Sequence, residues 1–458
     1  MKRADEERIL GVFFDGKLDK QTKIMKLDDE TQRYYSGKIK EEHYSVTWEP
    51  SGKYLFHFTP EKPEGNEKPA QKIAQPIYEW LVERGLQKDL VLVSGDSTST
   101  ITGTWGGAIR HLEILLKRKC HWDICMLHIN ELPLRCLIIK LDGPYIPKQG
   151  WTGPLGKLIE IVGEIEVNPN FPAFPEIEDL ILLPEEVVSK LSTDQKNCYR
   201  LHAALKSGIL PPELAKIKCG ELSQSRWLTT AQAFMMLWTR FHNVEGETLR
   251  KLKVIVTFCL TVYLKLYYEI KVKHHISCAP NHILMSLRLL NQQTDEVKTL
   301  ITDTIQRGAY HAHSENLLAS LLSSSDEEDR KFAVEKILSL RNGRDLGNME
   351  VRYHKTPPLN LNATATKNLI NWNQDIHEPV FTCHLSREEL EDLCNQPLSL
   401  KPFSLHTQSC ERAVQEVSKA SKEVHGESKR DGFVRARMDH REVIPVFSSK
   451  KDILPMCY

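Results

Sequence analysis

The sequence predicts an α/β protein: a mixed sheet, antiparallel at first and parallel later, joined to a large all-α segment. Three observations carry this. Residues 9–60 hold short β-type runs separated by turn residues. From about residue 70, helical apolar stripes alternate with short apolar runs. From about 184 to 342 the chain reads almost wholly as helices.

The opening runs are Ile9–Phe14, Thr22–Leu27, Glu42–Trp48 and Tyr54–Phe58. Asp15-Gly16, Asp28-Asp29 and Pro50-Ser51-Gly52 supply turns between them. Ile73, Ile77, Trp80 and Leu81 form a helical stripe that ends at Gly85. A strand from Leu90 to Val93 leads to Asp96. A helix over 106–117 follows, then a strand at Trp122–Leu127 and a helix beyond His128. A Pro- and Gly-rich stretch from 143 to 174 marks a boundary. Eight helical segments lie between Glu185 and Leu340, one opening on the acidic Asp326-Glu327-Glu328-Asp329. Ser386 with Glu389 fits a capping box, and a last helix spans Thr407–Val424. The apolar run Val254–Tyr268 is short for a membrane span and carries Lys265, so a buried helix is expected there.

The chain has 458 residues, enough for two or three domains, with 61 basic and 61 acidic side chains. That balance excludes a global positive field, so any nucleic-acid binding rests on local patches. The N-terminus is too charged for a signal peptide. Eleven cysteines without a CxxC pair point to a reducing compartment.

Two apolar runs each lead to an aspartate: Phe13-Phe14-Asp15-Gly16 and Ser94-Gly95-Asp96. If the strands are neighbours, both carboxylates reach one sheet end as hard oxygen donors suited to Mg²⁺ or Mn²⁺. Two such ions activate an attacking oxygen and stabilise a leaving one at a phosphodiester. The competing reading makes each Asp a turn former. A third carboxylate is needed, and Glu411, early in the last helix, is the candidate; a solvated helix Glu is its alternative. Cys125 and His128 stand three apart at the end of a later strand. A rim role at the carboxylate site suits them better than zinc, which needs four ligands. Arg226-Trp227 opens a helix and offers a phosphate fork beside a stacking plane, or else an exposed Arg beside a core Trp. Thr102–Gly107 lacks a P-loop ending and reads as a turn.

Together these motifs resemble the ribonuclease-H-like DDE transposases, the hAT-like superfamily in particular, and transposon-derived proteins of animal genomes. The resemblance rests on Asp15, Asp96, Cys125-x-x-His128, Arg226-Trp227 within a helical insertion, and Glu411-Arg412 after it, and spans about residues 9–425. It implies a ribonuclease-H-like mixed sheet with an all-α insertion: core over 1–142, insertion over 143–395, a completing helix over 396–428 and a basic polar tail over 429–458. It further implies two Mg²⁺ or Mn²⁺ ions on catalytic Asp15, Asp96 and Glu411. Cys125, His128, Arg226 and Trp227 would support the site or bind nucleic acid. DNA is the implied partner, the nucleus the implied location, no membrane is involved, and a homo-oligomer is compatible. The sequence shows no Cys/His recognition module of the kind such enzymes carry. That motivates the alternative of a catalytically inactive, domesticated transposase acting as a nucleic-acid-associated or protein-binding scaffold. A haloacid-type phosphatase is disfavoured, because Lys17 stands where a second Asp is wanted.

Overall fold

The computed structural model describes residues 11–26, 34–146, 149–220, 222, 227–241, 246–342, 355–373, 376–417, 419 and 426–439. Within these, two compact units separate. The first comprises 11–122 together with the residues from Thr407 onward; the second comprises 123–406.

Four strands of a five-stranded mixed sheet, and the first two residues of its fifth, lie in the first unit. The strands are β1 (Gly11–Lys26), β2 (Tyr34–Glu49), β3 (Lys53–Phe58), β4 (Leu92–Gly95) and β5 (His121–Ile124), in the order β3-β2-β1-β4-β5. β1 and β2 form a long antiparallel ladder running from Gly11↔Glu49 to Lys26↔Tyr34. β3 continues it antiparallel, and β4 lies parallel to β1 with Phe13 opposite Ser94. The expected turn at Asp15-Gly16 is therefore not a turn. β1 runs through it and joins the runs read as separate strands. Ladder hydrogen bonds belong to the backbone, so the polar stretch Lys17–Lys23 pairs as well as an apolar one. Gly52, at φ +65°, supplies the left-handed residue of the β2–β3 turn.

Helix α1 (Pro69–Glu83) buries Ile73, Ile77 and Leu81, the helical-period stripe expected of it. It packs on α3 (Ala108–Leu116); a single-turn α2 (Ser99–Thr102) precedes α3. The Gln408–Val417 helix crosses β1 and β2 with Cys410, Ala413, Val414 and Val417 buried. Residues 429–439, expected in a polar tail, instead belong to a helix, Glu427–Asp439, that packs on β3. Arg430 and Val434 turn inward, and Arg430 Nη1 stands 3.2 Å from Glu41 Oε2. A buried Arg is tolerated because it is paired, and a composition-based reading does not register that. Residues 440–458 of that expected tail lie outside the described residues.

The second unit is mostly helical. It begins at Asp123, so α4 (Met126–Asp142) groups with the helices that follow it. The run Val254–Tyr268 lies within Gly246–Val272, a continuous helical stretch with a π-helical segment at Cys259–Tyr263. The run's apolar side chains from Ile255 onward are buried. Among the described residues no helix is long and apolar enough to cross a membrane. Helix starts follow local chemistry. Asp326 accepts from Glu328 N–H, and Ser386 with Glu389 forms a reciprocal capping box. Leu318, Leu322, Val334, Ile337 and Leu390 form one apolar cluster among these helices. The described cysteines are free thiols.

Candidate functional site

Asp15 and Asp96 line one open cleft of about 650 Å³ in the first unit. The sheet register explains why. Phe13 of β1 stands opposite Ser94 of β4, and counting two residues onward along both parallel strands reaches Asp15 and Asp96. Asp96 has a structural task as well. Its Oδ1 accepts from the Thr98 N–H at 3.0 Å and from the Thr98 hydroxyl at 2.6 Å, which shapes the turn into α2. The turn-former reading of Asp96 and the functional one are thus both compatible with its position.

Alternation decides which sheet face Asp15 uses. Asp15 pairs with Ser45, and Phe13 with Thr47. The Ser45 hydroxyl donates to the Cys410 carbonyl at 2.9 Å. The Cys410 thiol donates to the Phe13 carbonyl at 2.9 Å and lies 2.8 Å from the Thr47 hydroxyl. Paired residues share a face, so Asp15 projects on the face covered by the helix that carries Glu411. The Cys410 thiol, buried beside this carboxylate, is pushed up by burial and by the Asp15 and Glu49 charges. Glu411 occupies the first turn of that helix, and its Oε1 accepts from the Thr407 hydroxyl at 3.1 Å. Glu411 is not among the residues lining the Asp15–Asp96 cleft.

The carboxylate donors match a hard divalent ion in chemistry. Among the described residues, however, no three His, Cys, Asp or Glu side chains are grouped so as to hold a metal ion.

Two cleft residues escaped the sequence reading. Tyr44 pairs with Gly16, and a Cβ on Gly16 would meet the Tyr44 ring at 2.4 Å, so glycine here makes room for the aromatic. The ring stacks on Phe58 at 5.7 Å, and its hydroxyl donates to Glu42 Oε1 at 3.3 Å. Burial first, then the Glu42, Asp96 and Asp15 carboxylates, raise the Tyr44 phenol above its ordinary range and keep it a donor. The sequence signal was a glycine inside a strand, which reads equally well as a turn. Gly16→Ala is expected to cost about 1–3 kcal/mol by overpacking against this ring, measured by urea unfolding.

None of the other expected site residues belongs to the described part of the first unit. Cys125 is buried at the start of α4, and His128 sits in the first turn of α4; both belong to the second unit. Arg226 lies outside the described residues. Trp227 is 6% exposed, edge-to-face with Trp151 at 5.9 Å, and the Arg135 guanidinium lies over its ring at 5.5 Å. Its expected role as an open stacking plane is thus corrected: Trp227 is a core anchor, because burying so large an apolar ring outweighs offering it to a base. Compared with protein-family models, curated proteins and solved structures, the chain shows no significant match to any of them.

Proposed function

We propose that the first unit is a transposase-type core of ribonuclease-H-like architecture. It cleaves and transfers DNA strands with two Mg²⁺ or Mn²⁺ ions held by Asp15, Asp96 and Glu411. The observation that carries this reading is the shared placement of the carboxylates. Asp15 and Asp96 meet at one cleft, and Asp15 lies on the sheet face that the Glu411 helix covers. An antiparallel three-stranded opening followed by a parallel strand is also what that architecture calls for. When bound, the ions would supply a metal-activated oxygen nucleophile and stabilise the leaving oxygen. The chain's own residues supply negative charge to hold them. Asp96 also fixes its own turn, and the Thr407 hydroxyl holds the Glu411 carboxylate. Asp15, at the fifth residue of β1, is carried on a rigid strand.

A second reading, a non-catalytic scaffold derived from such an enzyme, is favoured by one observation: no three-ligand metal group is preassembled among the described residues. Nicking of supercoiled DNA in Mg²⁺ or Mn²⁺, together with Mn²⁺-dependent thermal stabilisation, separates the two. The enzyme reading expects cleavage that chelation abolishes, and a midpoint that rises with Mn²⁺. Neither effect appearing would leave the scaffold.

A further inference from the structure

β2 carries a stripe of polar side chains that a protein surface would ordinarily send to water. Ser45, Thr47 and Glu49 alternate along the strand and share one face. All three are buried, at 0%, 0% and 2% exposure. Each bonds to the first turn of the Gln408–Val417 helix. Ser45 donates to the Cys410 carbonyl at 2.9 Å. Thr47 lies 2.8 Å from the Cys410 thiol and 3.4 Å from the Ser409 hydroxyl. Glu49 accepts from the Ser409 hydroxyl at 3.2 Å. The β1 partners of this stripe are Asp15, Phe13 and Gly11 in turn.

Apolar helix-on-sheet packing is tolerant of sliding, because dispersion and area burial are non-directional. Hydrogen bonds are not: a slide of even one strand residue, about 3.3 Å, would carry the Ser45, Thr47 and Glu49 bonds to Ser409 and Cys410 out of range together. An apolar stripe would hold the helix as well without fixing its register. This stripe ties Ser409 and Cys410, the two residues before Glu411, to the strand paired with Asp15.

We infer that Ser45, Thr47 and Glu49 form a register device, in which Glu49 and Ser409 are positioning residues that set where Glu411 stands relative to Asp15. This rests on the reading of Asp15 and Glu411 as partners in one site, and it adds which residues hold that partnership in place. Glu49 reaches Glu411 through its bond with Ser409. A neutral acceptor of the same shape serves equally, because the bond needs an oxygen acceptor and not a charge.

The test uses the full chain with three variants: Ser409→Ala, Glu49→Ala and Glu49→Gln. In Mn²⁺-dependent DNA cleavage, Ser409→Ala and Glu49→Ala are expected to lower kcat about 10²-fold. KM for DNA should stay within about twofold, since Glu49 is buried and neither residue lines the Asp15–Asp96 cleft. Glu49→Gln restores kcat. Equal loss of kcat in Glu49→Gln and Glu49→Ala, or a change in KM alone, overturns the inference. Amide hydrogen exchange gives an arm that needs no activity. Exchange over 408–417 should quicken in Ser409→Ala and Glu49→Ala, with β1 and β2 protection unchanged and Glu49→Gln no quicker than the parent. If no DNA is cleaved by any form, selective quickening over 408–417 still supports the register device while the cleavage reading fails. Unchanged exchange overturns the device whatever the activity.

Discussion

Asp96→Asn is expected to lower metal-dependent DNA cleavage by at least about 10³-fold while leaving the metal-free thermal midpoint within about 2 °C of the parent. The substitution separates the two roles of this residue. Asp96 Oδ1 accepts from the Thr98 amide and the Thr98 hydroxyl. An asparagine carbonyl oxygen accepts both bonds, so the turn into α2 survives. What is lost is the negative charge and the second anionic oxygen, on which a divalent ion depends. Asp96→Ala removes both at once. It should also destabilise by about 1 kcal/mol, as loss of a capping side chain does. Circular dichroism melts with and without Mn²⁺, run beside the nicking assay, check both claims. The Mn²⁺-linked rise in midpoint should vanish in Asp96→Asn. Full cleavage by Asp96→Asn would leave this residue a turn former and nothing more.

Glu49→Gln is expected to stabilise the protein, most of all above pH 8. The Glu49 carboxyl is 2% exposed. Burial pushes it up from 4.5 to about 8, against a smaller lowering by the Ser409 hydroxyl bond. Below about pH 4.5 folded and unfolded chains both hold the proton, and Glu49 makes no pH-dependent contribution. Between 4.5 and 8 the folded chain keeps a proton that the unfolded chain has released, so stability falls as pH rises. Above 8 the full cost of a buried carboxylate is present. Glutamine keeps the acceptor for Ser409 and removes that cost, which amounts to a gain on the order of 3 kcal/mol at pH 9 and little at pH 4. Urea unfolding at pH 5, 7 and 9 measures it. The parent should lose stability across that window, and the variant's curve should be flatter. Parallel curves would mean that Glu49 is not the titrating group.

Much of the chain was legible from local rules. The stripe Ile73–Ile77–Leu81 and the starts at Asp326 and Ser386 follow from neighbours three or four residues away, so local sequence specifies them. The reading failed where polar residues do structural work at long range. Polar and turn-forming side chains at Asp15-Gly16 imitate a loop, although the backbone of β1 pairs with β2 there without a break. Arg430 reads as part of a solvated tail because its partner Glu41 lies 389 residues away in sequence. Ser45, Thr47 and Glu49 alternate with Val46 and Trp48 in the manner of a strand with one wet face. The chain covers that face with a helix some 360 residues later.

The sequence by itself determined the α/β class with its helical segment, the two aspartates beyond apolar runs, and the helix that carries Glu411. Each is fixed by side-chain period and local hydrogen bonding. Only the tertiary structure decided that Asp15 and Asp96 border one cleft, that Asp15 shares a sheet face with the Glu411 helix, and that Tyr44 and Glu42 border the same cleft. Those facts depend on strand register. A slip of one residue sends every side chain of a strand to the opposite face, and register is set by partners distant in the chain.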